Sequence, residues 1–299
     1  MSHDTLPRRP LDAPEAGVTA ATAHRRRHWT RRPNPLAGLG SVIWLVVVII
    51  PIYAMISTSL TRQDESLGNA LDPPKHPTLE NYNTVLHSGF GHLLANTITV
   101  AAAVVAIVLV LCVPLAYVAV RTRSFWSGAA FRMFLLGVAI PAQAVVVPLY
   151  LMIAKLNLYD SLLAVILPTA AFAMPVSTLI LTGTLRDISE ELYEAMALDG
   201  ASPTRMLFQL VIPMSKGGIS TVVVYSALQA WNGFLFPLIF TQSDGPRVLT
   251  LGLFNYVSEF GVNIPALLAS VVLSGIPIFA VYLVARRALV GGLMGVGGK

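Results

Sequence analysis

Charge is scarce in this sequence of 299 residues. Only 12% of the residues are Asp, Glu, Lys or Arg, whereas 55% are apolar. Average soluble domains carry about 25% charged residues, so roughly half that amount argues against a soluble globular protein. The composition instead favours a chain that is surrounded by lipid.

Cysteine and metal-binding patterns are also nearly absent. The one cysteine, Cys112, falls inside an apolar run. A single thiol can form no disulfide within the chain and does not report the redox compartment. No spacing of Cys, His or carboxylates matches a metal site. We therefore expect Cys112 to have a structural role and the chain to hold no metal.

The nucleotide-binding motif G-x-x-x-x-G-K-[ST], whose backbone amides bind phosphate groups, is missing as well. Of the four lysines, only Lys299 follows a glycine, and Lys299 is the last residue. The chain is therefore expected to bind no ATP through a P-loop. It is predicted to have no catalytic site and no cofactor of its own.

Long uncharged apolar segments, in contrast, are abundant. Crossing a bilayer takes roughly 20 apolar residues in a helix, and six segments reach that length without Asp, Glu, Lys, Arg or His. One such charge costs about 2.5–3.5 kcal/mol at the centre of a membrane helix. The sequence therefore predicts an all-α integral membrane protein with six transmembrane helices. The predicted spans are Leu36–Leu60, Leu94–Val120, Met133–Ala154, Ser161–Leu185, Gly218–Phe240 and Ile264–Ala285.

The basic residues are distributed unevenly over the connections between these spans. Six spans place the N-terminal tail, the second and fourth loops and the C-terminal tail on one side, which has sixteen Lys and Arg residues against four on the other. Positive residues concentrate on the cytoplasmic side of membrane proteins. Both termini are therefore predicted to be cytoplasmic, and the Arg-rich tail is expected to lie beside anionic lipid rather than to bind nucleic acid.

The resulting domain organisation has five parts. A disordered, Arg-rich cytoplasmic tail (1–35) precedes the first transmembrane helix (36–60) and an outer loop (61–89). Spans 2 to 6 form a core (90–286), and a Gly-rich cytoplasmic tail follows (287–299). The first span is longer than the core of a signal peptide and has no small-residue cleavage site after it, so we expect it to remain as an anchor.

The long inner loop at 186–217 contains the segment EAMALDGASPTRMLFQLVIP, from Glu194 to Pro213. Asp187 with Glu190 matches a capping box at the start of a first helix, and Gly200 is a natural stop, since glycine tolerates the left-handed conformation that ends helices. Pro213 is expected to end a second helix. The predicted apolar faces of the two helices are Ile188, Leu192, Ala195 and Met196, and Met206, Leu207, Leu210 and Val211.

The second helix is expected to begin at Ser202, which can cap it, with Pro203 at the favoured first position. The polar face of the first helix is acidic, whereas a helix that lies on anionic headgroups favours Lys and Arg. This acidic, hinged helix pair therefore indicates docking to a soluble partner at the cytoplasmic face, although an ordinary amphipathic loop helix is the alternative.

The sequence EAMALDGA at Glu194–Ala201, followed by Ile212 and Pro213, resembles the EAA loop of binding-protein-dependent ABC importer permeases. Other segments resemble the sugar-type branch, in particular the second membrane subunit of maltose-type importers. These are TLENYNTVL before span 2, NTITVA at its start, AWNGFLFPLIF in span 5 and the C-terminal GGLMGVGGK. Met196 in place of the third alanine and Gly233 in place of an acidic residue depart from the pattern.

The resemblance implies a type I ABC importer permease architecture in the bacterial plasma membrane. It implies that the loop docks on a separate ATPase subunit, which binds ATP and Mg. The implied partners are a second, non-identical permease subunit, a pair of cytoplasmic ATPase subunits and an external solute-binding protein that delivers a sugar or oligosaccharide. The implied coupling contacts are Glu194, Ala195, Asp199, Gly200, Ala201 and Pro213.

Neutral amide side chains within the spans are candidates for the solute pathway, because amides offer both donors and acceptors to sugar hydroxyls. The candidates are Asn96, Gln143, Gln229 and Asn232. Hydrogen bonding between helices is the equally weighted alternative. A permease for a non-sugar solute and an ion-coupled secondary transporter are the alternative functions. Spans without ionisable groups disfavour proton coupling, since proton relays place such groups inside the bundle.

Overall fold

The computed structural model describes residues 35–66, 71–122, 124–258 and 261–296. The predicted Arg-rich tail at 1–35 lies outside these residues except for Pro35, which begins the first helix. The helices are α1 (Pro35–Ser59), α2 (Glu80–Val85), α3 (Gly91–Arg121), α4 (Phe125–Leu135), α5 (Ala142–Lys155), α6 (Leu162–Arg186), α7 (Glu190–Leu198), α8 (Pro203–Met206), α9 (Ile212–Met214), α10 (Lys216–Trp231), α11 (Leu235–Phe240), α12 (Leu249–Gly252) and α13 (Ile264–Val296).

Short irregular elements complete the fold. Three 3₁₀ helices cover Gln63–Glu65, Leu136–Ala139 and Leu253–Tyr256, and two π-helical turns cover Leu86–Phe90 and Leu207–Val211. Strands β1 (Val257–Ser258) and β2 (Gly261–Val262) pair antiparallel, Val257 opposite Val262. This hairpin is the only departure from all-α architecture in the part of the chain that the structure describes.

The chain divides into two compact units, 1–47 and 48–299, and the described part of the first is the beginning of α1. In the second unit, α3, α6 and α10 pack against one another, and α13 packs on α10. The side chains of Val104, Val108 and Leu181 are fully buried in this core. Cys112 is buried there too, and its thiol donates to the carbonyl oxygen of Met174 over 3.6 Å. The thiol therefore packs α3 against α6, as expected for a structural cysteine.

Four helices among the described residues are long and apolar enough to cross a membrane, or six if each of two bent pairs is one span. The predicted third span is one of these pairs, because α4 with its 3₁₀ extension and α5 meet at 104°. Ile140 precedes Pro141 and is extended, with φ −83° and ψ 114°. A residue before proline avoids the helical region, which accounts for the break.

The predicted fifth span, Gly218–Phe240, is not one continuous helix either. It stops at Trp231, where Asn232 caps α10, and resumes only at Leu235. The second bent pair instead joins Pro203–Met214 to α10, at 79°. At the C-terminus, α13 stays helical as far as Val296 and so includes most of the predicted Gly-rich tail at 287–299.

The helices α6 and α10 approach each other closely at Gly218. A Cβ atom on Gly218 would lie 2.3 Å from Oγ1 and 2.8 Å from Cβ of Thr184. We expect Gly218→Val to destabilise the bundle by about 1–3 kcal/mol through overpacking, measured as a lower midpoint of thermal unfolding in detergent. Gly183→Val on α6 is the matched control, because no atom lies within 4 Å of a Cβ there. Equal midpoints for the two variants would contradict the packing argument.

Candidate functional site

The hinge of the inner loop is a complete helix C-terminal motif. The N–H of Ala201 donates to the carbonyl of Met196 over 2.9 Å, and the N–H of Gly200 donates to that of Ala197 over 3.0 Å. Gly200 has φ +70°, the left-handed conformation that glycine adopts without a steric penalty. The predicted stop at Gly200 is therefore confirmed, and the chain reverses there with its last helical carbonyls satisfied.

The second helical segment begins as predicted. The hydroxyl of Ser202 accepts a hydrogen bond from the N–H of Arg205 over 3.3 Å, and Pro203 is the first helical residue. The segment continues through the π-turn and α9 to Met214. The segment ends at Met214 and bends by 79° into α10, which confirms to within one residue the predicted helix end at Pro213. The wide π-turn interrupts the regular hydrogen-bond ladder just before Pro213, so that the missing N–H is accommodated.

The start of α7 differs from the prediction. Asp187 is the C-terminal cap of α6, and Ser189 precedes α7 without a side-chain cap. The predicted capping box of Asp187 with Glu190 was therefore wrong. The Glu190 carboxylate instead accepts a hydrogen bond from the Arg121 guanidinium at 2.5 Å. Glu190 thus pairs with a residue 69 positions away instead of capping α7 locally. The spacing of residues within the loop does not reveal this pairing.

The buried face of the first helix is also rotated from the predicted one. Ile188 is buried, but Leu192 is 40% exposed and Ala195 is exposed. Tyr193, which the sequence reasoning missed, is 2% exposed. An aromatic residue on a short acidic helix was the available signal. In the second segment, the predicted apolar face holds, since Leu207, Leu210 and Val211 are buried and Met206 is partly buried.

Tyr193 is the centre of a contact between α7 and the C-terminal end of α3. Its ring stacks on that of Tyr117, with centroids 6.4 Å apart, and the guanidinium carbon of Arg121 lies 4.2 Å from its centroid. Burial raises the pKa of the Tyr193 hydroxyl, so the ring stays neutral at physiological pH. The Tyr117 hydroxyl also contacts the sulfur of Met206 at 3.7 Å. We call Tyr117, Arg121, Glu190 and Tyr193 the α3–α7 clamp.

The opposite face of the hinged pair is free of such contacts and is exposed to solvent. Leu198, the last residue of α7, is 89% exposed. Five of the six predicted coupling residues are exposed, and Ala201 is half-buried. The exposed ones are Glu194, Ala195, Asp199, Gly200 and Pro213. Glu194 and Ala195 lie in the second half of α7, and Asp199 and Gly200 lie on the turn that follows it, so the structure places these four exposed residues close together.

The four amide candidates for a solute pathway lie in different places. Asn96, at the outer end of α3, donates to the carbonyls of Gly245 (2.7 Å) and Arg247 (2.8 Å). Its NH₂ group is therefore engaged in holding the loop that precedes α12. Gln143 is exposed in the first turn of α5, just after the break at Pro141. For Asn96 and Gln143 a contact with solute stays a prediction.

Gln229 and Asn232 lie together at the end of α10, where the predicted fifth span is broken. Asn232 lines a cavity of about 240 Å³, and Trp231, Thr250 and Ser274 also line it. The Thr250 hydroxyl donates to the carbonyl of Gly233 over 2.8 Å and so satisfies a carbonyl that the break leaves free. The cavity lies between α10, α12 and α13, and most of the residues that line it are apolar. The Asn232 amide donates to the carbonyl of Leu228 over 2.9 Å, so its contact with solute stays a prediction as well.

Comparisons with known proteins agree with this arrangement. Residues 113–291 match the family described as "Binding-protein-dependent transport system inner membrane component". A putative ABC transporter permease protein, ORF2, of Caldicellulosiruptor sp. is 32% identical over 84% of this chain and 92% of its own. The diacetylchitobiose uptake system permease protein NgcG of Streptomyces coelicolor is 29% identical over 84% of each chain.

This chain belongs to that permease family. A crystal structure of a bacterial ABC transporter involved in the import of alginate contains a chain with the same fold. Its TM-score is 0.73 at 21% identity, and the match covers 86% of this chain and 97% of that one. The predicted fold, a type I importer permease with apolar spans and two short helices in the loop at 186–217, is confirmed. The predicted membership of the ABC permeases is confirmed with it.

The loop between α5 and α6 is hydrogen-bonded to the segment that follows α11. One carboxylate oxygen of Asp160 accepts from the N–H groups of Gln242 (2.7 Å) and Ser243 (2.9 Å). These backbone hydrogen bonds lower the pKa of Asp160. The N–H of Asp160 in turn donates to the carbonyl of Phe240 over 2.9 Å. The segment that leaves α11 is thereby fixed to the loop that enters α6.

Proposed function

We propose that this permease is one of two non-identical membrane subunits of a carbohydrate ABC importer. Relatives named for sugar uptake support a sugar or oligosaccharide as the solute, namely NgcG and the glucose import system permease protein GlcU of Saccharolobus solfataricus, which is 28% identical. An external solute-binding protein would deliver the sugar. A crystal structure of the bacterial alginate ABC transporter in complex with an alginate pentasaccharide-bound periplasmic protein supports this partner.

The observation that carries the proposal is the exposed hinge at Leu198–Ala201. A pair of cytoplasmic ATPase subunits, which supply ATP and Mg sites, would bind this turn. Glu194 and Asp199 would meet polar groups of the ATPase, while Ala195 and Leu198 would contact apolar groups. A short helix whose last carbonyls are satisfied by the turn after it transmits force as a rigid body, whereas a free loop would deform.

Both termini and the hinge would lie on the cytoplasmic side of the bacterial plasma membrane. The excess of Lys and Arg in the connections on that side supports this orientation. The exposed surfaces of the chain would then contact lipid, the second permease subunit and the ATPases, and none of them would bind nucleic acid. The cavity beside Asn232 would be the part of the solute pathway that this subunit contributes, with amide and hydroxyl groups for sugar hydroxyls.

The test is to purify the tagged permease from detergent-solubilised membranes of its host and to measure transport by the reconstituted complex. We expect an ATPase and a second permease to co-purify, and sugar uptake to need ATP, to be blocked by vanadate and to resist ionophores. Uptake by the isolated chain on an ion gradient would instead indicate a secondary transporter. ATP-driven uptake of a non-carbohydrate would indicate the other alternative, a permease for a different solute.

A further inference from the structure

The C-terminal end of α3 is held by the loop at 186–217, which we call the docking loop. The Arg121 guanidinium, in its last turn, contacts α7 through the ion pair with Glu190 and the ring of Tyr193. Tyr117, one turn earlier, stacks on Tyr193 and reaches Met206 in α8. Both helical segments of the docking loop therefore touch the same end of α3, and three kinds of contact fix the angle between α7 and α3.

The outer end of the same helix is held by the loop that precedes α12. Asn96 donates to the carbonyls of Gly245 and Arg247. The buried hydroxyl of Thr97 accepts from the N–H of Leu249 at 2.9 Å. Three backbone groups of this loop thus depend on two neighbouring side chains of α3. We call residues 242–249 the outer segment.

Between these two ends α3 is one helix from Gly91 to Arg121. At 1.5 Å per residue, Asn96 and Arg121 are separated by about 38 Å along its axis. One side of the helix is buried against α6 and α10 along this whole distance, at Val100, Val104, Val108 and Ala116. Pro114 removes one hydrogen bond within this stretch, but α3 is buried on both sides of Pro114, and close-packed interiors transmit displacement.

The helix α6 offers a second connection between the same regions. It joins α7 covalently through residues 187–189, and the loop before it holds the outer segment through Asp160. A three-residue connection leaves α7 free to rotate about it unless other contacts set its orientation. The α3–α7 clamp supplies those contacts, so that a displacement of α7 moves α3 and α6 together.

We propose that Arg121 is the positioning residue that couples the docking loop to the outer segment through α3. This inference rests on the proposed function, because α7 has a cause to move only when an ATPase grips it. Removal of the guanidinium leaves α7 attached to α6 and held to α3 by the stacking of Tyr193 on Tyr117, without the ion pair that sets its orientation. ATP-driven displacement then reaches the outer segment weakly, while nucleotide hydrolysis, which takes place on the partner, continues.

The experiment measures the distance between spin labels at Thr84→Cys and Gln242→Cys in the complex purified with its ATPase, with Cys112→Ala as background. Thr84 and Gln242 are both exposed; Thr84 lies on α2, which packs on α13, and Gln242 lies in the outer segment. We expect ATP with vanadate to shift this distance in the parent complex. Arg121→Gln and Glu190→Gln should each reduce the shift at least twofold, with ATP hydrolysis retained.

The swapped pair Arg121→Glu with Glu190→Arg should restore most of the shift, which loss of packing alone would not allow. Arg186→Gln is the matched control, since Arg186 ends α6 and forms no ion pair within the described ranges. A full shift in Arg121→Gln, or an equal loss in Arg186→Gln, would overturn the inference and leave the proposed function standing. Absence of any ATP-dependent shift in the parent complex would count against the proposed function itself.

Discussion

Leu198→Asp should abolish co-purification of the ATPase while the permease still inserts and folds. The side chain is 89% exposed, so it contributes almost nothing to the stability of the chain. Burial of a leucine in a partner is worth about 1.5–3 kcal/mol, and a carboxylate placed there would also have to be desolvated. We therefore expect at least about a tenfold weaker complex, measured as ATPase retained on the immobilised permease.

Leu156→Asp is the control for this variant. Leu156 follows α5 and is 58% exposed, but it lies in the loop at the other end of the fold, next to the start of α6. It should retain the ATPase at the level of the parent chain. If Leu198→Asp also retained it, Leu198 would not lie in the docking interface, and the hinge would have to bind through its acidic residues alone.

Gly200→Val should stop ATP-driven uptake at normal membrane levels of the permease. Gly200 has φ +70°, and a β-branched residue in that conformation costs about 1–3 kcal/mol. The hydrogen bonds from Gly200 and Ala201 to the last carbonyls of α7 would break to relieve this strain, so α7 would lose its defined end. Uptake of radiolabelled sugar and the ATPase rate of the reconstituted complex are the measurements.

The variant Gly200→Asn distinguishes the effect of backbone strain at position 200 from the effect of a side chain that fills space at the interface with the ATPase. Asparagine adopts the left-handed region more readily than other residues, and no atom of the chain lies within 4 Å of a Cβ placed on Gly200. We expect Gly200→Asn to retain more uptake than Gly200→Val. Equal and complete loss in both would mean that the partner itself needs a glycine at this position. Full uptake by Gly200→Val would contradict the coupling role.

The hinge and the membrane character were within reach of sequence reasoning because local chemistry determines them. Ser202, Pro203 and Gly200 act through their own backbone geometry, and the structure has each in its expected role. Long uncharged runs predict helices in lipid because no other open structure satisfies the backbone there. The breaks at Pro141 and at Asn232–Phe234 were missed, since membrane helices often contain proline and a uniformly apolar run shows no period to interrupt.

The contacts that hold the docking loop could not be read from the loop itself. The sequence predicted a capping box of Asp187 with Glu190, but the Glu190 carboxylate accepts a hydrogen bond from Arg121, 69 positions away. Likewise Asn96, which suited a solute pathway, holds the carbonyls of Gly245 and Arg247, about 150 positions along the chain. A strong charge pair or a buried amide is satisfied by whichever group the fold brings near, and sequence spacing is silent on that.

By itself, then, the sequence determined that this protein lies in lipid and turns at Gly200. Composition and backbone preference act over a few residues and need no partner. Only the tertiary structure decided which face of α7 is buried, that Arg121 holds it to α3 and that α3 reaches the outer segment. Those outcomes depend on the packing of helices that are distant in sequence, where the burial of one ring or the pairing of one charge outweighs local propensity.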